Sequence, residues 1–222
     1  LMKWDGSKYQ DIPVPGDTSL RGGLTAVYAK SANEIWLGSI DKIFFSNGII
    51  CTEYEIDSAF GITAFAEFNG KLLAIGRRSY GIKNSDVEIS VYQFELSTWT
   101  RVYLKLFHFY EELLVPVKLG NEPYGCLNGL LKFNGLDFSR ILEPPTGYDM
   151  AVKVAGNTEN EVMTFVFDEN DYFYANWNGN KWSREFYVLS TESMKKIGRN
   201  YYIVESPCSS CNFVFLRIGR PN

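Results

Sequence analysis

The sequence predicts an all-β fold, a five-bladed β-propeller with four antiparallel strands per blade and a last blade closed by the N-terminal strands. Three observations carry that expectation. One phrase recurs along the chain at nearly constant spacing, the mark of a repeat architecture. The composition is 16% aromatic, with 14 Tyr and 16 Phe, and rings pack well on a pleated surface, whereas helix formers gather nowhere into a long run of period 3.6. The two ends of the chain, finally, read as complementary halves of one repeat.

The phrase is an apolar run ending in Phe or Trp, a turn that usually holds Asn-Gly or Asp-Gly, an aromatic, and a further apolar residue. It reads Trp4-Asp5-Gly6-Ser7-Lys8-Tyr9, Phe45-Ser46-Asn47-Gly48 running on to Tyr54, and Phe94-Glu95-Leu96-Ser97-Thr98-Trp99. It returns as Phe133-Asn134-Gly135-Leu136-Asp137-Phe138 and as Trp177-Asn178-Gly179-Asn180-Lys181-Trp182. With the second aromatic as marker the copies fall at 9, 54, 99, 138 and 182, in steps of 45, 45, 39 and 44, and the way from 182 through the end to 9 is 49. Each copy predicts a hairpin, because Asn-Gly and Asp-Gly accept the positive φ angles of a two-residue turn. The third copy lacks the glycine.

Two more strand-like runs precede each hairpin: Leu24–Lys30 and Glu34–Gly38, Ile62–Phe68 and Lys71–Gly76, Leu113–Leu119 and Tyr124–Leu127, Ala151–Ala155 and Glu161–Phe167, Met194–Gly198 and Tyr201–Glu205. Four strands in about 40 to 45 residues is the size of a propeller blade, which must stack on neighbours to bury both faces. The expected blades are approximately 24–56, 62–104, 113–142, 150–188, and 194–222 together with 1–12. The chain ends on Phe213–Ile218 and begins with Leu1–Trp4 and Tyr9–Ile12, so the N-terminal strands complete the last blade. A tandem of small barrels would not need such complementary ends.

In the second unit, Gly70-Lys71-Leu72-Leu73-Ala74-Ile75-Gly76 followed by Val91-Tyr92-Gln93-Phe94-Glu95-Leu96-Ser97-Thr98-Trp99-Thr100-Arg101-Val102 resembles a kelch-type blade. Where that family carries a glycine pair after the second strand, this chain has Gly76-Arg77, and the likeness covers one blade of the five, about residues 62–105. The resemblance implies propeller architecture and a binding platform, and it brings no catalytic residues with it.

Composition narrows the function classes. A net charge of −4 and a pI near 5.2 argue against nucleic acid, whose phosphates are bound by clustered Lys and Arg. No apolar run approaches the roughly 20 residues that cross a bilayer as a helix, and LMKWDGSKYQ has no signal-peptide pattern. The expectation is a soluble, monomeric fold able to join a larger assembly. Leu1 precedes Met2, which leaves an upstream segment open. Cys51, Cys126, Cys208 and Cys211 are too few and scattered for a disulfide scaffold. Cys208-Ser209-Ser210-Cys211 has no second pair to complete a zinc site and sits between strands, away from any helix dipole.

Candidate binding residues fall in the irregular loops of one propeller face. The loop Arg77–Asp86 places Arg77, Arg78 and Tyr80 together, and Arg offers planar paired donors to carboxylates, sulfates or acidic protein surfaces. The segment Phe107–Glu112 holds the one histidine, His108, flanked by rings that include Tyr110. No Ser or Cys nucleophile stands at a spacing that would make His108 catalytic. Tyr148 and Asp149 lie at a further blade junction. Asp168, Asn170 and Asp171 concentrate oxygen ligands but lack the spacing of a calcium loop, so they are expected to form a solvated turn, and no cofactor or metal is expected.

The expected function is therefore a non-enzymatic binding module that presents loops to a protein or cell-surface partner, in the manner of an adhesion or virion-surface protein. The first alternative is a carbohydrate-binding lectin, against which the dissimilarity of the five loops counts. The second is a glycosidase with two carboxylates across the central funnel, drawn from Asp57, Glu111, Asp149 and Asp168.

Overall fold

The structure, a computed structural model, describes residues 2–4, 7–11, 23–56, 61–79, 87–107, 115–119, 122–126, 129–167, 172–187, 193–197, 200–205 and 215–219. Among these the chain is all strand and turn, with no helix. It divides into two compact units, Leu1–Glu111 and Glu112–Asn222.

In the first unit, β1 (Met2–Trp4) and β2 (Tyr9–Asp11) form a two-stranded sheet. Two four-stranded meanders follow, one of β3 (Ala26–Ser31), β4 (Glu34–Gly38), β5 (Lys42–Ser46) and β6 (Cys51–Glu55), the other of β7 (Gly61–Phe68), β8 (Lys71–Ser79), β9 (Val87–Glu95) and β10 (Thr98–Phe107). The second unit repeats the plan with β11 (Val115–Leu119), β12 (Glu122–Cys126), β13 (Leu130–Phe133) and β14 (Phe138–Leu142), and again with β15 (Asp149–Thr158), β16 (Glu161–Phe167), β17 (Tyr172–Trp177) and β18 (Trp182–Tyr187). A three-stranded sheet of β19 (Ser193–Ile197), β20 (Asn200–Glu205) and β21 (Phe215–Gly219) ends it. Every pairing is antiparallel and joins strands consecutive in sequence.

Middle strands are buried on both faces, which explains why they read as unbroken apolar runs. Ile35, Trp36 and Leu37 of β4 are all buried, as are Leu73, Ala74 and Ile75 of β8 and Phe173, Tyr174 and Ala175 of β17. The last strands β6 and β14 are mostly exposed. Successive sheets meet through their first strands, β3 against β7 in the first unit, and β11 against β15 and β15 against β19 in the second. Between the first two meanders this approach is close. Thr25 Oγ1 donates to Ile62 O at 2.5 Å and Ile62 N donates to Ser39 O at 3.0 Å. Gly38 is required there, since a Cβ would stand 2.5 Å from Ile62 Cγ2.

The recurring phrase forms hairpins, but by different turn chemistry from the expectation. Asn47, Asn134 and Asn178 do not adopt positive φ. Only the following glycines do, at 87°, 99° and 89°. Each Asn instead caps its turn: Asn134 Oδ1 accepts from Leu136 N and Asp137 N, both at 2.9 Å, and Asn47 and Asn178 do the same at their own hairpins. This is the Asx use of the side chain. Positive φ at both central residues occurs at Asn69-Gly70, joining β7 to β8, and at Leu96-Ser97, joining β9 to β10. In the turn register Cys51 occupies the site held by Phe138 and Trp182, four residues past the Asn. Tyr54, the sequence marker of that copy, enters the core from farther along the strand.

The rings of the second and third copies lie between neighbouring sheets. Trp36 meets Phe45, Phe94 and Trp99 at centroid distances of 4.8, 4.6 and 5.4 Å, and Tyr54 closes on Phe94 at 5.6 Å. Trp177 and Trp182 pack beside the core of the second unit, where Trp182 Nε1 donates to Glu143 O at 3.1 Å. A further repeat is invisible in the phrase. Val102, Ile141 and Glu185, each three residues past the marker aromatic, are skipped in the pairing of β10, β14 and β18. The same β-bulge thus recurs in the last strand of three sheets.

Candidate functional site

Strand β8 runs on to Ser79, so Arg77 and Arg78 belong to the sheet and not to the loop expected from sequence. The consequence is geometric. Successive strand residues point to opposite faces, so the two guanidinium groups diverge. Arg78 stands opposite Glu88 across β8 and β9, an opposite-charge cross-strand pair that stabilises the sheet. Arg77 stands between Gly61 of β7 and Ile89 of β9, and Ile89 in turn opposes Lys105 of β10. Gly61 also bridges Ile40, which fixes this end of β7 against the neighbouring meander. Arg77 is half-buried, and its Nε is sealed from solvent without an acceptor.

The other candidates separate. Tyr80, His108, Tyr110, Asp168, Asn170 and Asp171 lie outside the described residues, as do Cys208 and Cys211 and the acids Asp57 and Glu111. Tyr148 is half-buried, with its ring edge-on to Phe173 at 4.9 Å and its N donating to Pro145 O at 3.1 Å, so it packs against the second unit's core. Asp149 opens β15, opposite Phe167. Among the described residues no group of three or more His, Cys, Asp or Glu side chains could hold a metal ion, and no helix is long and apolar enough to cross a membrane.

Lys105 shares the face of Arg77 because the bulge at Val102 resets the alternation of β10. A simple period of two counted from Trp99 would place Lys105 on the wrong face relative to Arg77. The usable signal was the pair of long basic residues near one end of a hairpin, but only the register joins them.

Two polar clusters have structural roles. In the first unit Tyr28 Oη donates to Glu67 Oε1, while Lys30 Nζ stands 3.6 Å from the same oxygen. In the second, Lys132 Nζ lies 2.7 Å from Glu122 Oε2 and 3.4 Å from Glu159 Oε2, and Tyr124 Oη donates to both acids at 2.9 and 3.4 Å. The hydrogen bond from Lys132, then that from Tyr124, holds the Glu122 carboxyl below the usual range, and Glu122 in turn raises Lys132. Glu159 belongs to the turn between β15 and β16, so the cluster staples one sheet to the next. Cys51 and Cys126 are not in disulfides, and burial pushes the Cys51 thiol up.

The fold defines an all-β protein of repeated four-stranded antiparallel sheets. No protein-family model matches the chain, and no curated protein matches it.

Proposed function

We propose that the protein is a non-enzymatic binding module on a five-bladed β-propeller, presenting the ends of its second and third strands to a protein or cell-surface partner. The propeller part rests on four-stranded meanders that meet their neighbours through first strands, as blades do around an axis. On this reading β19–β21 and the N-terminal strands make the fifth blade.

The observation that carries the binding role is Arg77. A buried donor without an acceptor costs about 1–3 kcal/mol, and such groups in native proteins ask for a partner. Arg77 lies two residues before Ser79, the last residue of β8, near the kind of position at which a rigid scaffold presents a ligand contact. Immobilised full-length chain is expected to retain a specific protein from a source lysate, and Arg77→Ala is expected to abolish retention while Arg78→Ala preserves it. Retention unchanged by Arg77→Ala would remove this end of the sheet as the docking site.

A further inference from the structure

Five Asn-Gly pairs occur in the sequence, and four lie on described turns: Asn47-Gly48, Asn69-Gly70, Asn134-Gly135 and Asn178-Gly179. The Asn of the fifth, Asn128, lies outside the described residues. Such a pair is chemically reactive, because glycine presents its backbone nitrogen to the preceding side-chain amide with no Cβ to obstruct the approach. The fold treats the four unequally. In the turns from third to fourth strand, the Oδ1 atoms of Asn47, Asn134 and Asn178 each accept two backbone N–H bonds at 2.8–3.1 Å. Gly48 N itself donates to Ser46 Oγ at 3.2 Å. A Cβ on Gly48 would stand 3.2 Å from Ala32 O, and one on Gly179 would stand 3.4 Å from Asn160 Cβ.

Asn69-Gly70 joins β7 to β8 and differs on each count. Both residues are exposed, the Asn69 side chain makes no hydrogen bond among the described residues, and nothing lies within 4 Å of a Cβ built on Gly70. Asn69 also holds a φ of 51°, in the left-handed region that is costly for a residue with a side chain, so departure from this backbone relieves strain. We propose that Asn69-Gly70 is a site of spontaneous deamidation, at which the folded chain is modified without an enzyme. Gly70 N attacks Asn69 Cγ and forms the N–C bond of a five-membered succinimide. The Cγ–Nδ2 bond breaks, and Nδ2 leaves as ammonia with the proton that Gly70 N gives up. Water then opens the ring at one of its two carbonyls, leaving aspartate or isoaspartate. At the other three turns two side-chain hydrogen bonds must break first, which slows the same step by about tenfold or more. Isoaspartate carries the main chain through the side-chain methylene and lengthens it by one carbon. Loop length fixes hairpin register, so this product loosens the Phe68–Lys71 pair on the strand, β7, that meets β3 of the neighbouring meander.

The test is ageing of the full chain at neutral pH and physiological temperature, with mass spectrometry of proteolytic peptides that separate the four sites. Exchange of the amide NH₂ for OH raises a peptide's mass, and methyl transfer by an isoaspartyl methyltransferase marks the isoaspartate form. The peptide holding Asn69 is expected to convert about tenfold or more faster than those holding Asn47, Asn134 and Asn178. Equal rates, or faster conversion at any of the other three, overturn the proposal. A second arm ages the chain in concentrated guanidinium chloride, where the folded turns are lost, and the four rates are expected to converge. The same order persisting in denaturant also overturns the proposal, because the selectivity then comes from the flanking residues and not from the fold.

Discussion

Tyr28 Oη donates a 2.7 Å hydrogen bond to Glu67 Oε1, tying the first strand of one meander to the first strand of the next. Burial first, and then the bond to Glu67, push the phenol from 10.0 up to about 12. Tyr124 is likewise pushed up to about 12, by burial and then by Glu122. A folded value above the unfolded one means that the stabilisation is complete below about pH 10 and is lost as the pH rises towards 12. Each tyrosine is expected to contribute on the order of 1 kcal/mol to this alkaline dependence, since water screens part of each site. Urea midpoints of the wild type and of Tyr28→Phe from neutral to strongly alkaline pH check it, together with tyrosinate absorbance. A pair of tyrosines titrating with the exposed ones, before any unfolding, contradicts the assignment.

The acid side belongs to Lys132. Glu122 is held low, so its contribution is present above its unfolded value and is lost as the pH falls through the folded one. Its side chain is about half exposed, which limits the effect to about 1 kcal/mol or less. Glu122→Gln is therefore expected to flatten the acid limb of the stability profile only slightly. Lys132→Met should destabilise more at neutral pH, because it leaves Glu122 and Glu159 facing one another. Denaturation midpoints between mildly acidic and neutral pH decide this, and an equal loss in both variants contradicts it.

The turn at Leu96-Ser97 is strained. Both residues adopt positive φ, 49° and 63°, at about 1–2 kcal/mol each for a side chain in that region. Leu96 is 93% exposed and contributes no packing there. Replacing the pair by Asn-Gly, already used at Asn69-Gly70, is expected to stabilise by about 1 kcal/mol after the added flexibility of glycine in the unfolded chain is set against the relief. A thermal midpoint that stays or falls removes the claim.

Gly38 and Ile62 are expected to be energetically coupled. Gly38→Ala should destabilise by about 1–3 kcal/mol through overpacking. In an Ile62→Gly background, where both Cβ and Cγ2 are gone, the same change should cost less, and the double-mutant cycle reads the difference. Equal costs in the two backgrounds would show that the sheets relax freely at this junction.

The recurring phrase made strands and hairpins legible, and Glu34–Gly38 and Glu161–Phe167 match β4 and β16 to the residue. Composition and turn residues suffice there because local geometry decides. The turn mechanism was misread, since Asn-Gly serves equally as two central residues or as a capping Asn before a glycine, and only the backbone angles separate these. The site was legible in half. Arg77 is visible as a basic residue near a strand end, but its separation from Arg78 and its place in one cross-strand row with Lys105 depend on strand length and on a bulge. Neither leaves a mark in the alternation of polar and apolar residues.

A strand from another molecule that settles on a sheet edge reads an evenly spaced ladder of amides and carbonyls. On β10, β14 and β18 the skipped residue breaks that ladder after a few steps, so an incoming strand loses its spacing before it has gained a cooperative grip. These last strands carry Val102 and Ile141 at 39% and 41% exposure, and the bulge at each lowers the tendency of that edge to template an incoming strand.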